Sequence, residues 1–331
     1  IFQRDTKDML GPGLDFPDMF GASAPQTNNA RMRNRGWELS LNWRGKIGND
    51  INYSVGGSLS DATAEVTEYA NPTGTNPAGN WYVGRKVGEI WGYRAEGIIQ
   101  TQAEADEYNK YDLSYLSGKA WEPGDVKYVD LNGDKAINRG KNTLEDMGDM
   151  TIIGNTTPRY QYTFNGSISW KDLSLSMMFQ GVGKRDWNPG TAPYFWGSGA
   201  YAQVTVFNEH MDYWREDNPN AYYPKPYIHS AGGVTPFRNK IMQTSDRYLQ
   251  SGAYCRLKNI TLSYNLPSSW TQRVGLQKVQ VFFSGENLLT FTSLKGMFDP
   301  EAIFTGNSYT SEGGKNYPMN KVVSFGLVVN L

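Results

Sequence analysis

The chain has 331 residues, with 32 basic and 33 acidic side chains and a net charge of −1, which gives no electrostatic footprint for a nucleic-acid partner. Its single cysteine, Cys255, excludes an internal disulfide and a cysteine-based metal site, and two histidines, His210 and His229, are too few for a histidine-rich centre. No run approaches 18 apolar residues, so no transmembrane helix is expected, although a mean hydropathy of −0.58 understates strands that hide an apolar face in alternation.

The first ten residues, IFQRDTKDML, lack the apolar core of a signal peptide and read as a weak strand over 1–9. An outer-membrane or secreted chain is expected to carry a signal segment, so the expectation is that these residues are the later part of a longer protein. A Gly/Pro/Asn loop follows. Next, Trp37, Leu39, Leu41 and Trp43 alternate with Glu38, Ser40, Asn42 and Arg44, which predicts a strand with one apolar face. KIGND (46–50) makes a tight turn. Ile51, Tyr53, Val55 and Leu59 then oppose Asn52, Ser54, Ser58 and Ser60.

Residues 67–157 break this rhythm. They hold a strand-like EIWGYRAEGIIQ, a short helix at 102–108 and an acidic Asp/Asn/Gly segment, too much for a plain loop. The period of two resumes with Tyr160, Tyr162, Phe164, Ile168 and Trp170. After a Lys171-Asp172 turn it continues through Leu173, Leu175, Met177 and Phe179. A second excursion, about 185–245, is rich in Trp, Tyr, Pro and Gly. The strand predicted over 248–266 changes parity near Lys258-Asn259, where a β-bulge would restore one apolar face. Val279, Val281 and Phe283 mark another strand. A loop at 293–318 leads to KVVSFGLVVNL, where Val323, Phe325, Leu327, Val329 and Leu331 share a face.

Eight strands result, and brief connections alternate with elaborate ones. Outer-membrane barrels have short periplasmic turns and long extracellular loops, an asymmetry that a β-sandwich does not explain. Trp43 and Trp170 flank short turns, as an interfacial girdle requires. The fold class expected is all-β: the C-terminal portion of a transmembrane antiparallel β-barrel with large extracellular loops. The C-terminus then lies on the periplasmic side.

Several runs carry a family resemblance: TKDML, MRNRGWELSL, VGEIWGYRAEGIIQ, GDVKYVDLNGDKAIN, TIIGNTTPRYQYTFNGSISW, YCRLKNITLSYNLP, VFFSGENLLTFTSLKGMFDPE and YPMNKVVSFGLVVNL. In this order and spacing, along nearly the whole of 1–331, the chain resembles the C-terminal part of SusC/RagA-family TonB-dependent outer-membrane transporters. The resemblance implies about eight strands of a plugged 22-stranded barrel. It also implies a SusD-like lipoprotein lid, energy from the TonB complex through an N-terminal part, and a possible dimer of transporter–lid pairs. The terminal strand looks like the segment read by the outer-membrane insertion machinery, although it ends in Leu331 rather than an aromatic residue.

The expected function is import of an oligomeric nutrient, a glycan before an oligopeptide. A secreted, calcium-dependent, carbohydrate-binding β-sandwich is the alternative from another class. For the glycan, the second excursion offers Trp187, Tyr194, Trp196, Tyr201, Trp214, Tyr222, Tyr223 and Tyr227, because aromatic faces suit sugar rings. The same rings suit loop packing. Asp130, Asn132, Asp134 and Asn138 match positions 1, 3, 5 and 9 of a calcium loop, but Lys135 and Lys141 replace its Gly and bidentate acid. An Asx-turn loop held by its own hydrogen bonds explains the same spacing. No nucleophile–base–orienter set can be assembled, so the chain is not expected to be an enzyme or to require a cofactor. Glu38, Arg44 and Glu286 read as hydrated barrel-interior residues.

Overall fold

The computed structural model describes residues 1–330 other than 14–18, 20, 22–24, 72–73, 118, 191–192, 197–206, 228–239 and 304–316. Leu331 therefore lies outside the described residues. Eight long strands form one sheet: β1 (Phe2–Gly11), β2 (Thr27–Ile47), β3 (Ile51–Glu68), β4 (Arg159–Trp170), β5 (Leu173–Lys184), β6 (Tyr254–Asn265), β7 (Lys278–Thr292) and β8 (Val322–Asn330). They pair antiparallel in chain order, a simple meander. The sheet has two free edges, β1 and β8, and does not close on itself.

The register sorts the side chains as alternation predicts. Leu41, Gly57, Phe164 and Phe179 form one cross-strand row, and Trp43, Val55, Gly166 and Met177 form the next. Among the described residues nothing covers this apolar face: Leu41 is 67% exposed and Phe325 79%. A sandwich would bury such a face against a second sheet, so the β-sandwich alternative does not hold. The opposite face carries small hydroxyls. One row runs Arg44, Ser54, Ser167, Ser176, Thr261, Ser284 and Ser324, crossing from β2 to β8. Ser54 and Ser167 share a hydrogen bond of 2.9 Å within it.

The parity change in β6 is a bulge. Leu257 pairs with Phe179 and Asn259 with Met178, which leaves Lys258 as the extra residue. Opposite β7 the step repeats: Asn259 pairs with Glu286 and Leu257 with Leu289, and Asn287 takes the left-handed φ of 53°. These two steps keep Leu257 and Ile260 on one face.

Short connections close one end of the sheet. Gly48, at φ 60°, turns β2 into β3. Lys171, at φ 51°, turns β4 into β5. Residues 266–277 contain the short helix Ser268–Thr271 and a 3-10 turn, Gln272–Val274, ended by Gly275 at φ 74°. At the other end, β2 (21 residues) and β3 (18 residues) exceed the roughly 9–11 residues that span a bilayer. Three excursions fold upon these projecting ends.

The first excursion contains α1 (Gln102–Tyr108), at the predicted bounds, with the Thr101 hydroxyl accepting from the Glu104 N–H at 3.2 Å. The strand-like EIWGYRAEGIIQ divides into Glu89–Tyr93, paired with Met150–Asn155, and Ala95–Ile98, paired with Val126–Tyr128. The strand expected from 248 begins instead at Tyr254. Tyr248 is drawn into the excursion core, and Gln250–Ser251 pairs with Asp186–Trp187.

Candidate functional site

The three excursions build one cap at the long-loop end. Its apolar core takes Tyr93, Ile99, Trp121 and Tyr128 from the first excursion, Trp187, Phe195 and Tyr248 from the second, and Leu294, Phe298 and Ile303 from the third. Ring contacts join the last two. Trp187 meets Phe298 edge-on at 4.8 Å and Phe195 stacks on Phe298 at 6.3 Å, while within the second excursion Trp196 meets Tyr248 at 4.6 Å.

Polar ties complete the cap. Lys240 and Asp125 are wholly buried and pair at 2.6 Å. The Lys240 ammonium also donates to the Ala120 carbonyl at 2.7 Å and lies 4.9 Å from the centre of the Tyr227 ring. The Tyr227 hydroxyl donates to Asp125. Burial, and then the Asp125 charge, pushes that phenol far above its ordinary range. The Tyr93 N–H donates to the Thr244 carbonyl at 2.8 Å, and the Ala95 N–H to Asp246 at 2.9 Å.

A second buried cluster fixes the third excursion to the wall. Arg256 of β6 pairs with Asp299 at 2.8 Å and lies 3.1 Å from Glu301, which also meets Lys258 at 3.1 Å. Arg256 Nε donates to Thr290 on β7 at 2.8 Å. The contact of Arg256 Nη1 with Glu301 is an ion pair without hydrogen-bond alignment. Burial alone would raise the Asp299 pKa, but the Glu301 N–H and the Arg256 guanidinium outweigh it and hold the carboxyl below its ordinary value.

The eight candidate rings do not form one exposed platform. Trp187, Trp196, Trp214 and Tyr223 are buried, and the core takes all of them but Trp214, which donates from its indole to Gln100 at 2.9 Å. Tyr222 and Tyr227 are half-buried. The Lys295 ammonium sits 3.7 Å from the centre of the Tyr222 ring. The Tyr194 side chain and Tyr201 lie outside the described residues. Exposed rings at this end include Trp81, crossed by Arg85 at 4.9 Å, Tyr115 and Tyr317.

The Asp/Asn loop is held by its own side chains. Asp130 accepts from the N–H groups of Gly133 at 2.6 Å and Lys135 at 2.9 Å, and Asp134 accepts from Ala136 at 2.8 Å. Asn138 accepts from the Gly140 N–H. Asn132 donates to Asp134 at 3.1 Å. Asp149 lies beneath, accepting from Leu131 and Asn138 at 2.8 Å each, and burial raises its pKa. Among the described residues, no three His, Cys, Asp or Glu side chains converge as metal ligands.

A recess of about 530 Å³, lined by both charged and apolar residues, opens where β3 and β4 part at the base of the cap. Lys86, Glu89, Arg159, Lys184 and Asp186 line it. Arg159 is committed to Asp61, and Asp186 accepts from the Asn155 N–H at 2.8 Å. Lys86 and Lys184 make no ion pair among the described residues. This recess has no signal in sequence, because its charges come from strands and loops far apart in the chain.

No family model matches the chain. Curated relatives do. It is 29% identical over 317 residues to TonB-dependent receptor P3 of Formosa agariphila, covering 92% of this chain and 28% of that protein. It is 25% identical over 343 residues to TonB-dependent receptor P26 of the same organism, covering 99% and 32%. Among solved structures, it is similar to the RagAB peptide transporter, with TM-score 0.63, 24% identity, and 99% of this chain on 32% of that one. The RagAB peptide importer in its open-open state gives TM-score 0.67 at the same identity and coverage. The chain thus spans about a third of the length of the proteins it matches. The resemblance to SusC/RagA-family TonB-dependent transporters holds against these relatives, and the fold is that of part of their barrel wall.

Proposed function

We propose that this chain, as part of a TonB-dependent receptor of the SusC/RagA kind, forms about a third of the wall and mouth of an outer-membrane importer of oligomeric nutrients. The observation that carries the reading is the eight-stranded meander itself. Among the described residues its apolar face is uncovered, its opposite face is hydroxyl-rich, and its three excursions share one core at one end. Lipid outside and water inside is the environment that satisfies both faces. The short-turn end, with the C-terminus, then faces the periplasm, and the cap faces outward to meet a SusD-like lipoprotein. TonB supplies energy through the remainder of the full-length protein.

Glycan remains the first substrate class through the aromatic richness of the cap, although burial of four candidate rings narrows that support. The recess at the cap base, with the unpaired ammonium groups of Lys86 and Lys184, favours a second reading, an oligopeptide carrying carboxylates. Calcium in the Asp130–Asp134 loop is a further proposal, and thermal shift of the cap with added calcium tests it.

The deciding experiment is uptake by cells carrying the full-length receptor with or without a TonB-uncoupling deletion. Energy-dependent accumulation of a labelled oligomer is expected. Recovery of the full-length protein in buffer without detergent overturns the reading. Calorimetry of the receptor against panels of glycans and peptides separates the two substrate classes.

A further inference from the structure

Two cations on the polar face of the wall, Arg44 and Lys46, stand without a counter-charge. Both belong to β2, two residues and so about 7 Å apart along the strand. Toward the long-loop end of the same strand, Arg31 meets Glu68 and Arg33 meets Asp5, each at 2.7 Å on a neighbouring strand. The register gives Arg44 and Lys46 no such partner. Ser54 and then Ser167 stand across from Arg44, and Asn52 and then Ser169 across from Lys46. Both cations are exposed, and neither makes an ion pair among the described residues.

These six residues line a pocket of about 580 Å³ beside the turn at Gly48. No carboxylate lines it. Ser54 and Ser167 share one hydrogen bond of 2.9 Å, which uses one hydroxyl proton and leaves the other for a further acceptor. The Ser169 hydroxyl donates to the Asn52 carbonyl at 3.4 Å, a long bond that a better acceptor would displace. A guanidinium presents two parallel N–H groups to a carboxylate or phosphate, and an ammonium on a flexible stem adds a point charge.

We propose that this pocket is an oxyanion site, in which Arg44 and Lys46 hold one carboxylate or phosphate group against the inner wall near its short-turn end. The two cations set the charge of the ligand. No lining acid competes for them, and the serine hydroxyls reach the remaining oxygens. The group comes either from solution or from an acidic side chain of the full-length receptor, since this chain spans about a third of the proteins it matches. The chemistry is the same for both sources. The site uses the membrane-wall reading only in that this face of the sheet is wet.

The test is lysine acetylation of the full-length receptor, purified in detergent without carboxylate or phosphate buffers and read residue by residue by mass spectrometry. Lys171, exposed at the same end of the sheet and outside the pocket, is the reference. If the group comes from solution, added inorganic phosphate should slow Lys46 about five-fold and leave Lys171 unchanged. If the receptor supplies it, Lys46 should react about five-fold more slowly than Lys171 before phosphate is added, because a tethered partner has a high effective concentration. Zero-length carbodiimide coupling should then join Lys46 to an Asp or Glu side chain. In either case Arg44→Gln should bring Lys46 to the rate of Lys171, and Arg44→Lys should keep part of the protection, both with unchanged heat-modifiable migration. Lys46 that reacts as fast as Lys171 with and without phosphate overturns the site, as does protection that survives Arg44→Gln. Recovery of the receptor in buffer without detergent instead overturns the membrane-wall reading.

Discussion

The wall and the cap are stabilised in opposite ways. The wall has no side-chain core of its own. Its apolar residues point outward, and its strands are held by backbone ladders whose unpaired alternative in lipid costs several kcal/mol per group. The cap is built like a soluble domain, with stacked rings at its centre and ionic groups removed from water. A charge is tolerated in the cap only where a partner has been brought to it, and on the outer wall hardly at all. The same substitution therefore has different consequences in the two regions.

The sharpest test of this contrast is Lys240→Met. It leaves Asp125 buried without its counter-charge, which costs about 3–5 kcal/mol. The cap should become protease-sensitive at the temperature where the wall still migrates as a folded barrel, and simultaneous loss of both would break the distinction. Leu41→Arg is the reciprocal test. On the outer face it should destabilise the wall by about 2–4 kcal/mol near mid-membrane, read by urea unfolding in vesicles, with the cap's hydrogen exchange unchanged. Tyr227→Phe removes one donor from Asp125 while Lys240 remains, so a loss of about 1 kcal/mol in cap stability is expected by thermal denaturation.

A pH series gives the smallest effect. The folded pKa of Asp299 is lowered, so its contribution is present above the unfolded value of about 3.8 and is lost as pH falls through the folded value. Hydrogen exchange in 293–303 should accelerate over that acid window, and Asp299→Asn should remove the change. An unaltered profile in the variant would show that the third excursion is held by something else.

The wall is legible in sequence, whereas of the cap only its short helix α1 is, for physical reasons. A strand with unlike faces writes a period of two, and Leu39, Leu41 and Trp43 display it. Even the bulge at Lys258 announced itself, because an extra residue reverses parity. The cap has no comparable period. Asp125 and Lys240 meet across 115 residues of chain, and neither position looks buried in its own segment. Trp187 and Trp196 read equally well as platforms or core, since an aromatic ring does both by the same contacts. Tyr248 carries a strand-like neighbourhood, yet tertiary packing claims its ring and delays β6 to Tyr254. The recess at Lys86 and Lys184 depends on which ends of which strands diverge, and that is a matter of topology.

The row of hydroxyls from Ser54 to Ser324 has a consequence for friction. Each hydroxyl donates and accepts by rotating about one bond, and none carries a fixed charge. A polar surface moving against the row exchanges one partner for an equivalent one, so no position along it is a trap. The inner wall is thus energetically smooth along this band, and whatever lies against it is able to shift without first breaking a strong ion pair.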